Sequence, residues 1–309
     1  MTNFKIFLIS VFIAFTYFND TFSQIIIKYK VGDKIVTNAD IEFEKNYLIF
    51  LKPGLDELSD EEMKLIAEKS IIRDTIKKKE IDKVFKDLNN LEIINGVKKS
   101  LFRFKNVQNE DEFLKLIKNK NLNYEKIVEK MKYEGMWNEL IFQKYNTFVV
   151  INKEKLKSEL LSKISKDKRY EYDLSEILFE IEKENSVKKK YENIIKYINL
   201  NDFNSAASKF SISNSSTKGG QIGWIKETLL SENLSSLLSK LKVDEITKPI
   251  KYPNGYLILK INDKKEIKNQ INLDTELDEI VRFEKNKQLN QFSLLYYKKL
   301  KQDIIINEY

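Results

Sequence analysis

A chain of 309 residues, 42% apolar and 33% charged, has room for about two domains and too much apolar content for a disordered chain. The net charge of +7 comes almost wholly from lysine, since arginine occurs only at Arg73, Arg103, Arg169 and Arg282. The lysines are interleaved with glutamates and form no stripe, which argues against a nucleic-acid reader built on arginine forks. Histidine and cysteine are both absent, so disulfides, thiolate nucleophiles, histidine triads and most zinc sites are excluded. No metal and no other cofactor is expected.

In chain order, Met1 to Ser23 has the form of an export signal. Lys5 precedes a 13-residue uncharged run from Ile6 to Phe18, and small residues stand at Thr21 and Ser23. A membrane span needs about 20 apolar residues, so the run suits a leader cleaved near Ser23, with an uncleaved anchor as the alternative. Cleavage would leave a protein with no stable membrane insertion, in the periplasm. Ile25 to Lys30 and Lys34 to Val36, joined by Gly32-Asp33, predict a β-hairpin. Thr37 with Asp40 approximates a capping box for a helix from Asn38 to Leu51, stopped by Pro53-Gly54. A second helix runs from Ser59, with Glu62 as its capping partner, to about Leu88. Leu91 to Val107 has weak periodicity and is expected to be a loop with a helical turn. From Asn109 to Ile164 apolar residues recur at spacings of three and four, with Phe113, Leu116 and Ile117, then Ile127, Val128 and Met131, then Met136, Trp137, Leu140 and Ile141, as packed helices require.

Asp173 to Glu180 is expected as a strand, Ser186 to Ile198 as a helix, and Asn201-Asp202-Phe203 as the start of another ending near Phe210. The stretch of 42 residues from Gly219 to Lys260 holds four of the eight glycines and two of the three prolines. It reads Gly219-Gly220-Gln221-Ile222-Gly223-Trp224, a leucine-rich helical piece from Leu229 to Leu241, an Asp244-Glu245 turn with Pro249, and Asn254-Gly255 before a closing strand to Lys260. Glycine serves positive φ or close approach and proline a preset φ, so several tight turns are packed into one small unit. Beyond Glu266 a final helix with Leu277, Ile280, Val281, Leu289, Phe292, Leu295 and Tyr296 leads to a strand at Ile304 to Ile306.

The glycine pair, the Asp-Glu turn with its proline and the Asn-Gly turn, in that order, resemble the parvulin-type prolyl isomerase domain from Tyr170 to Lys264. The opening Val31 to Ile41 and the Gly135-Met136-Trp137 helix resemble SurA-like periplasmic chaperones. The resemblance implies an α+β fold in which a helical domain, opened by the hairpin and completed by the C-terminal helix and strand, has the parvulin unit inserted. The divisions would be 1–23 signal, 24–169 helical domain, 170–264 parvulin-like domain and 265–309 returning helix and strand. Ile304 to Ile306 would pair with the hairpin at Ile25 to Tyr29. The partners implied are unfolded polypeptides, outer-membrane protein precursors among them.

By the same resemblance the proline pocket falls on Ile222, Leu230 and Leu234, the last two spaced to share one helical face. The family's polar catalytic positions fall on Glu176, Ser213 and Leu257. Two are altered to other polar groups and one to an apolar side chain. Weak or absent isomerase activity is the expectation, and an active isomerase with a different polar set is the alternative.

Overall fold

The computed structural model describes residues 24–88, 90–164, 169–181, 187–267 and 272–309, so the expected export signal at 1–23 lies outside the described residues. Strands β1 (Ile27–Val31) and β2 (Lys34–Thr37) form the opening hairpin, with Gly32 turning at φ 62°. Helix α1 (Asn38–Leu51) begins with the full capping box: the Thr37 hydroxyl accepts from the Asp40 N–H, and the Asp40 carboxylate accepts from the Thr37 N–H. After Pro53-Gly54, the Ser59 hydroxyl accepts from the Glu62 N–H and starts α2 (Asp60–Val84).

The stretch expected to be mostly loop is a 14-residue helix, α3 (Leu91–Phe104), capped by Asn90. Ile93, Val97, Leu101 and Phe104 share one stripe, and Gly135 lets that stripe approach. A Cβ at Gly135 would stand 3.0 Å from Val97 and closer still to Ile93. Helices α4 (Glu110–Ile117), α5 (Tyr124–Tyr145) and α6 (Lys153–Ile164) follow, the first two capped by Asn109 and Asn123. Phe113 is fully buried among Tyr47, Phe50, Leu101 and Ile127, which locks α1, α3, α4 and α5 together.

The second unit comprises β3 (Arg169–Phe179), α7 (Val187–Leu200), α8 (Phe203–Phe210), β4 (Gln221–Lys226), α9 (Glu232–Ser239), β5 (Ile250–Tyr252) and β6 (Gly255–Ile267). Its four strands lie in the order β4-β3-β6-β5, all antiparallel. The two central strands run longer than the sequence suggests: Arg169 pairs with Ile267, held by a Glu171–Lys265 ion pair at 2.9 Å and by Lys264 over the Tyr170 ring. Strand alternation divides the sheet cleanly. Tyr172, Leu174 and Leu178 meet Leu257, Leu259 and Ile261 on one face, against Leu230 and Leu238. Ile177, Phe179 and Ile258 pack on the other face against α7 and α8.

Helix α10 (Leu273–Gln302) then returns along the helical unit. Trp137 of α5 is buried, its indole N–H donating to Ser293 Oγ at 2.8 Å and its ring stacked on Tyr296 at 5.8 Å. Strand β7 (Ile306–Glu308) completes a three-stranded sheet in the order β2-β1-β7. The expected pairing is therefore present but displaced along both strands: Ile306 faces Val31 and Glu308 faces Tyr29. The displacement follows burial, because Ile306 packs into the core of β1, α1 and α2 while Ile305 is left exposed. The fold is α+β, with the helical unit built from segments before and after the sheet unit that lies between them.

Candidate functional site

Glu176 lies at the centre of β3, on the sheet face that also carries Leu174 and Leu178, directly across from Leu259. A carboxylate among leucines needs hydrogen-bond donors. They come from the turn after α8, a 3-10 segment Asn214–Lys218 capped by Ser213. Ser213 Oγ donates to Glu176 Oε1 at 2.5 Å and Ser215 Oγ to the same oxygen at 2.8 Å. Ser211 Oγ accepts from the N–H groups of Leu178 and Ser213, pinning the turn to the strand. Gly220 closes it from the far side. The Glu176 N–H donates to its carbonyl at 2.8 Å, and its φ is 79°. A Cβ there would overlap the Glu176 carbonyl oxygen and stand 2.8 Å from the Ala207 methyl, so only glycine fits.

Two of the three positions assigned to polar catalysis, Glu176 and Ser213, are thus brought into contact. The third, Leu257, is buried in the leucine cluster beside Leu230 and offers no polar group. Sequence reasoning missed Ser215 and Tyr252. The Tyr252 phenol is pushed up, first by burial and further by the Glu176 carboxylate, against the opposing hydrogen bond of Gln291. The alternation of serines at 211, 213 and 215 was the available signal for the first. Nothing in the sequence pairs Tyr252 with β3.

The pocket residues are placed differently from one another. The helix expected from Leu229 to Leu241 is broken: a 3-10 turn at Glu227–Leu229 ends with Leu230 in extended conformation, and Ser231 caps α9 anew. Leu230 and Leu234 therefore do not share a helical face, although both pack into the same cluster, Leu230 buried and Leu234 at its margin. Ile222 is exposed on edge strand β4, apart from that cluster. Leu294 of α10 packs against the cluster together with Ile212, Ile250 and Tyr252, so the helical unit contributes to this wall.

The turn that holds Glu176 is also tied to α2. Arg73 Nη1 donates to Ser216 Oγ at 3.0 Å and Lys77 Nζ to Asn214 Oδ1 at 3.3 Å. No group of acidic side chains that could hold a metal ion occurs among the described residues. No helix among them is long and apolar enough to cross a membrane.

Residues 175–263 match the family model described as the PPIC-type PPIase domain, or rotamase, so the protein contains a PPIC-type, parvulin-family domain. Among individual proteins, the chaperone SurA of Pseudomonas putida is 41% identical over 64 residues, which cover 21% of this chain and 15% of that chaperone. The foldase protein PrsA of Bacillus subtilis is 35% identical over 78 residues, 22% of this chain and 27% of that foldase. The matched stretch is thus less than a third of either relative. A solved Campylobacter jejuni structure, described as one of two structurally related SurA-like chaperones, covers 92% of this chain and 98% of its own at 15% identity and a TM-score of 0.36.

Proposed function

We propose that this protein is an exported, SurA-like chaperone that holds unfolded polypeptides and carries a parvulin-type domain with weak or no isomerase turnover. Prolyl isomerisation has a barrier of about 18–20 kcal/mol because rotation breaks amide resonance, and a catalyst must favour the twisted amide by apolar grip and polar stabilisation. The observation that carries the reading is the polar set. Glu176 is already engaged by Ser213 and Ser215, and Leu257 is buried among leucines. In this reading 170–264 is the isomerase-like domain, inserted between 24–169 and 265–309. Leu230 and Leu234 form its proline wall, with Ile222 contributing from the edge of β4, and the periplasm is its location after cleavage near Ser23. Outer-membrane protein precursors are the clients proposed, because their unpaired strands aggregate and need a holder that uses no energy source.

Two assays test this on the mature protein. Suppression of aggregation of a denatured β-barrel protein at near-stoichiometric ratio is expected, together with little turnover of an Ala-Pro peptide in a protease-coupled assay. Robust turnover without protection would replace the reading with an active isomerase. Under that second reading Glu176→Gln would cut the rate while leaving the fold intact.

A further inference from the structure

Between α2, α10 and the β5–β6 turn lies a cleft of about 630 Å³ in which apolar walls and cations are combined. Leu65 and Leu295, each more than half exposed, line it from the two helices, with Ile72 and Ile212 half-buried beside them and Pro253 exposed at the β5–β6 turn. Five cations line it, Lys69, Arg73, Lys209, Lys298 and Lys301, against two carboxylates, Glu68 and Glu180. Most of the cations are matched. Lys209 pairs with Glu62 at 2.9 Å, Lys298 with Glu180 at 3.1 Å, and Arg73 reaches Asp74 at 3.8 Å. Among the described residues Lys69 and Lys301 have no carboxylate within ion-pair distance; Lys69 Nζ donates only to the Lys209 carbonyl, at 2.9 Å. Partial desolvation against the cleft wall, then the neighbouring Arg73, Lys301 and Lys190, pull the Lys69 ammonium down to about 8, although its side chain stays open to solvent. Cations gathered at an apolar wall without matching anions repel one another, and an incoming anion relieves that repulsion.

We propose that this cleft binds a carboxylate-bearing segment of a client polypeptide, its apolar side chains against Leu65, Ile72 and Leu295 and its carboxylate between Lys69 and Lys301. The inference rests on the polypeptide-holding reading above and adds a preference for acidic segments. Charge complementarity selects the carboxylate, and the exposed leucines select a polypeptide over a nucleic acid or a lipid headgroup. The carboxylate has two possible sources, an acidic side chain or the C-terminus of the client.

The experiment uses the full-length protein and three short fluorescent peptides: one of leucine and glutamate with an amidated end, its Glu→Gln counterpart, and that counterpart with a free C-terminus. Anisotropy at neutral pH and low salt is expected to give about tenfold tighter binding of the glutamate peptide than of its amidated glutamine partner, a difference salt erodes. Tight binding of the free-ended glutamine peptide would identify the C-terminus as a source as well. Lys69→Gln with Lys301→Gln should abolish the preference, Lys69→Arg with Lys301→Arg should keep it, and Lys157→Gln on α6 should change nothing. Unchanged melting of the double variant excludes misfolding as the cause.

Equal binding of acidic and glutamine peptides overturns the cleft assignment and leaves polypeptide holding intact. Binding of neither peptide counts against both. Binding of phosphatidylglycerol vesicles or duplex DNA that is lost in the double variant, with no acidic-peptide preference, would give the cleft to another anion and overturn the proposal.

Discussion

Gly220 and Gly223 sit three residues apart, both at positive φ, yet they answer to different constraints. At Gly220 an added methyl group collides with the Glu176 carbonyl and Ala207, whereas at Gly223 nothing lies within 4 Å. Gly223→Ala is therefore expected to cost only the backbone term, about 1–2 kcal/mol in urea unfolding. Gly220→Ala should cost clearly more and also displace Glu176 from Ser213. Lys130 presents the charged counterpart. It reaches Glu44, which is 1% exposed, at 2.8 Å and also pairs with Asp74. Burial opposes its charge, but Asp74 and Glu44 outweigh burial and raise its pKa. Lys130→Met would leave Glu44 buried without a counter-ion, and a loss of about 3–5 kcal/mol in stability is expected by denaturant titration. The serines around Glu176 show how far residue identity carries. Ser213 was legible only through the resemblance to the parvulin-type domain. The grip of Ser215 and the nearness of Tyr252 depend on how a 3-10 turn and a distant strand fold over β3, which no spacing along the sequence encodes.

At the scale of elements, capping chemistry made most boundaries legible. Thr37 with Asp40 and Ser59 with Glu62 behave as their side chains dictate, because a short polar side chain satisfies the free N–H groups of a helix start wherever it occurs. Three elements escaped for physical reasons. Helix α3 contains Gly96, which blurred a stripe that only closes against Gly135 of another helix. The leucine run after β4 looked continuous, but Ser231 is itself a cap and cuts it, turning Leu230 out of the helix. The closing strand is expected only to Lys260, yet β6 runs on through Lys264 and Lys265, whose stems and charges are used by Tyr170, Trp224 and Glu171 across the ribbon. Leu230→Ala, which removes a buried member of the leucine cluster, is expected to destabilise by about 2–5 kcal/mol in urea unfolding. Any residual isomerase rate should fall with it if that cluster is the proline wall.

For the whole molecule, one pH dependence is carried by Lys77, half-buried on α2 in the helical unit. Burial, then Arg73, depress Lys77 to about 8, against about 10.4 for a free lysine. Between those values the unfolded state holds a proton that the folded state has lost, so this group makes stability rise with pH over that window. Below about pH 8 both states are protonated and the charged ammonium is carried at a cost. Lys77→Met should flatten the pH dependence of the melting temperature between about 8 and 10. Half-buried tyrosines such as Tyr252 and Tyr297 are pushed up by desolvation, so their loss of stabilisation falls above that window.

The pairing of β7 with β1 gives the molecule an unusual mechanical polarity. Tyr309 N–H donates to the Lys28 carbonyl, and Ile306 lies opposite Val31, so residues 28 and 309 emerge side by side from the same end of one ribbon. Tension applied between these two points would load the cross-strand bonds one at a time, as a zipper opens, and not all together in shear. The last strand would peel away at low force while the interior sheet, bounded by Arg169 and Ile267, feels little load. Optical-tweezer traces should then show a small early extension followed by a separate, larger rip.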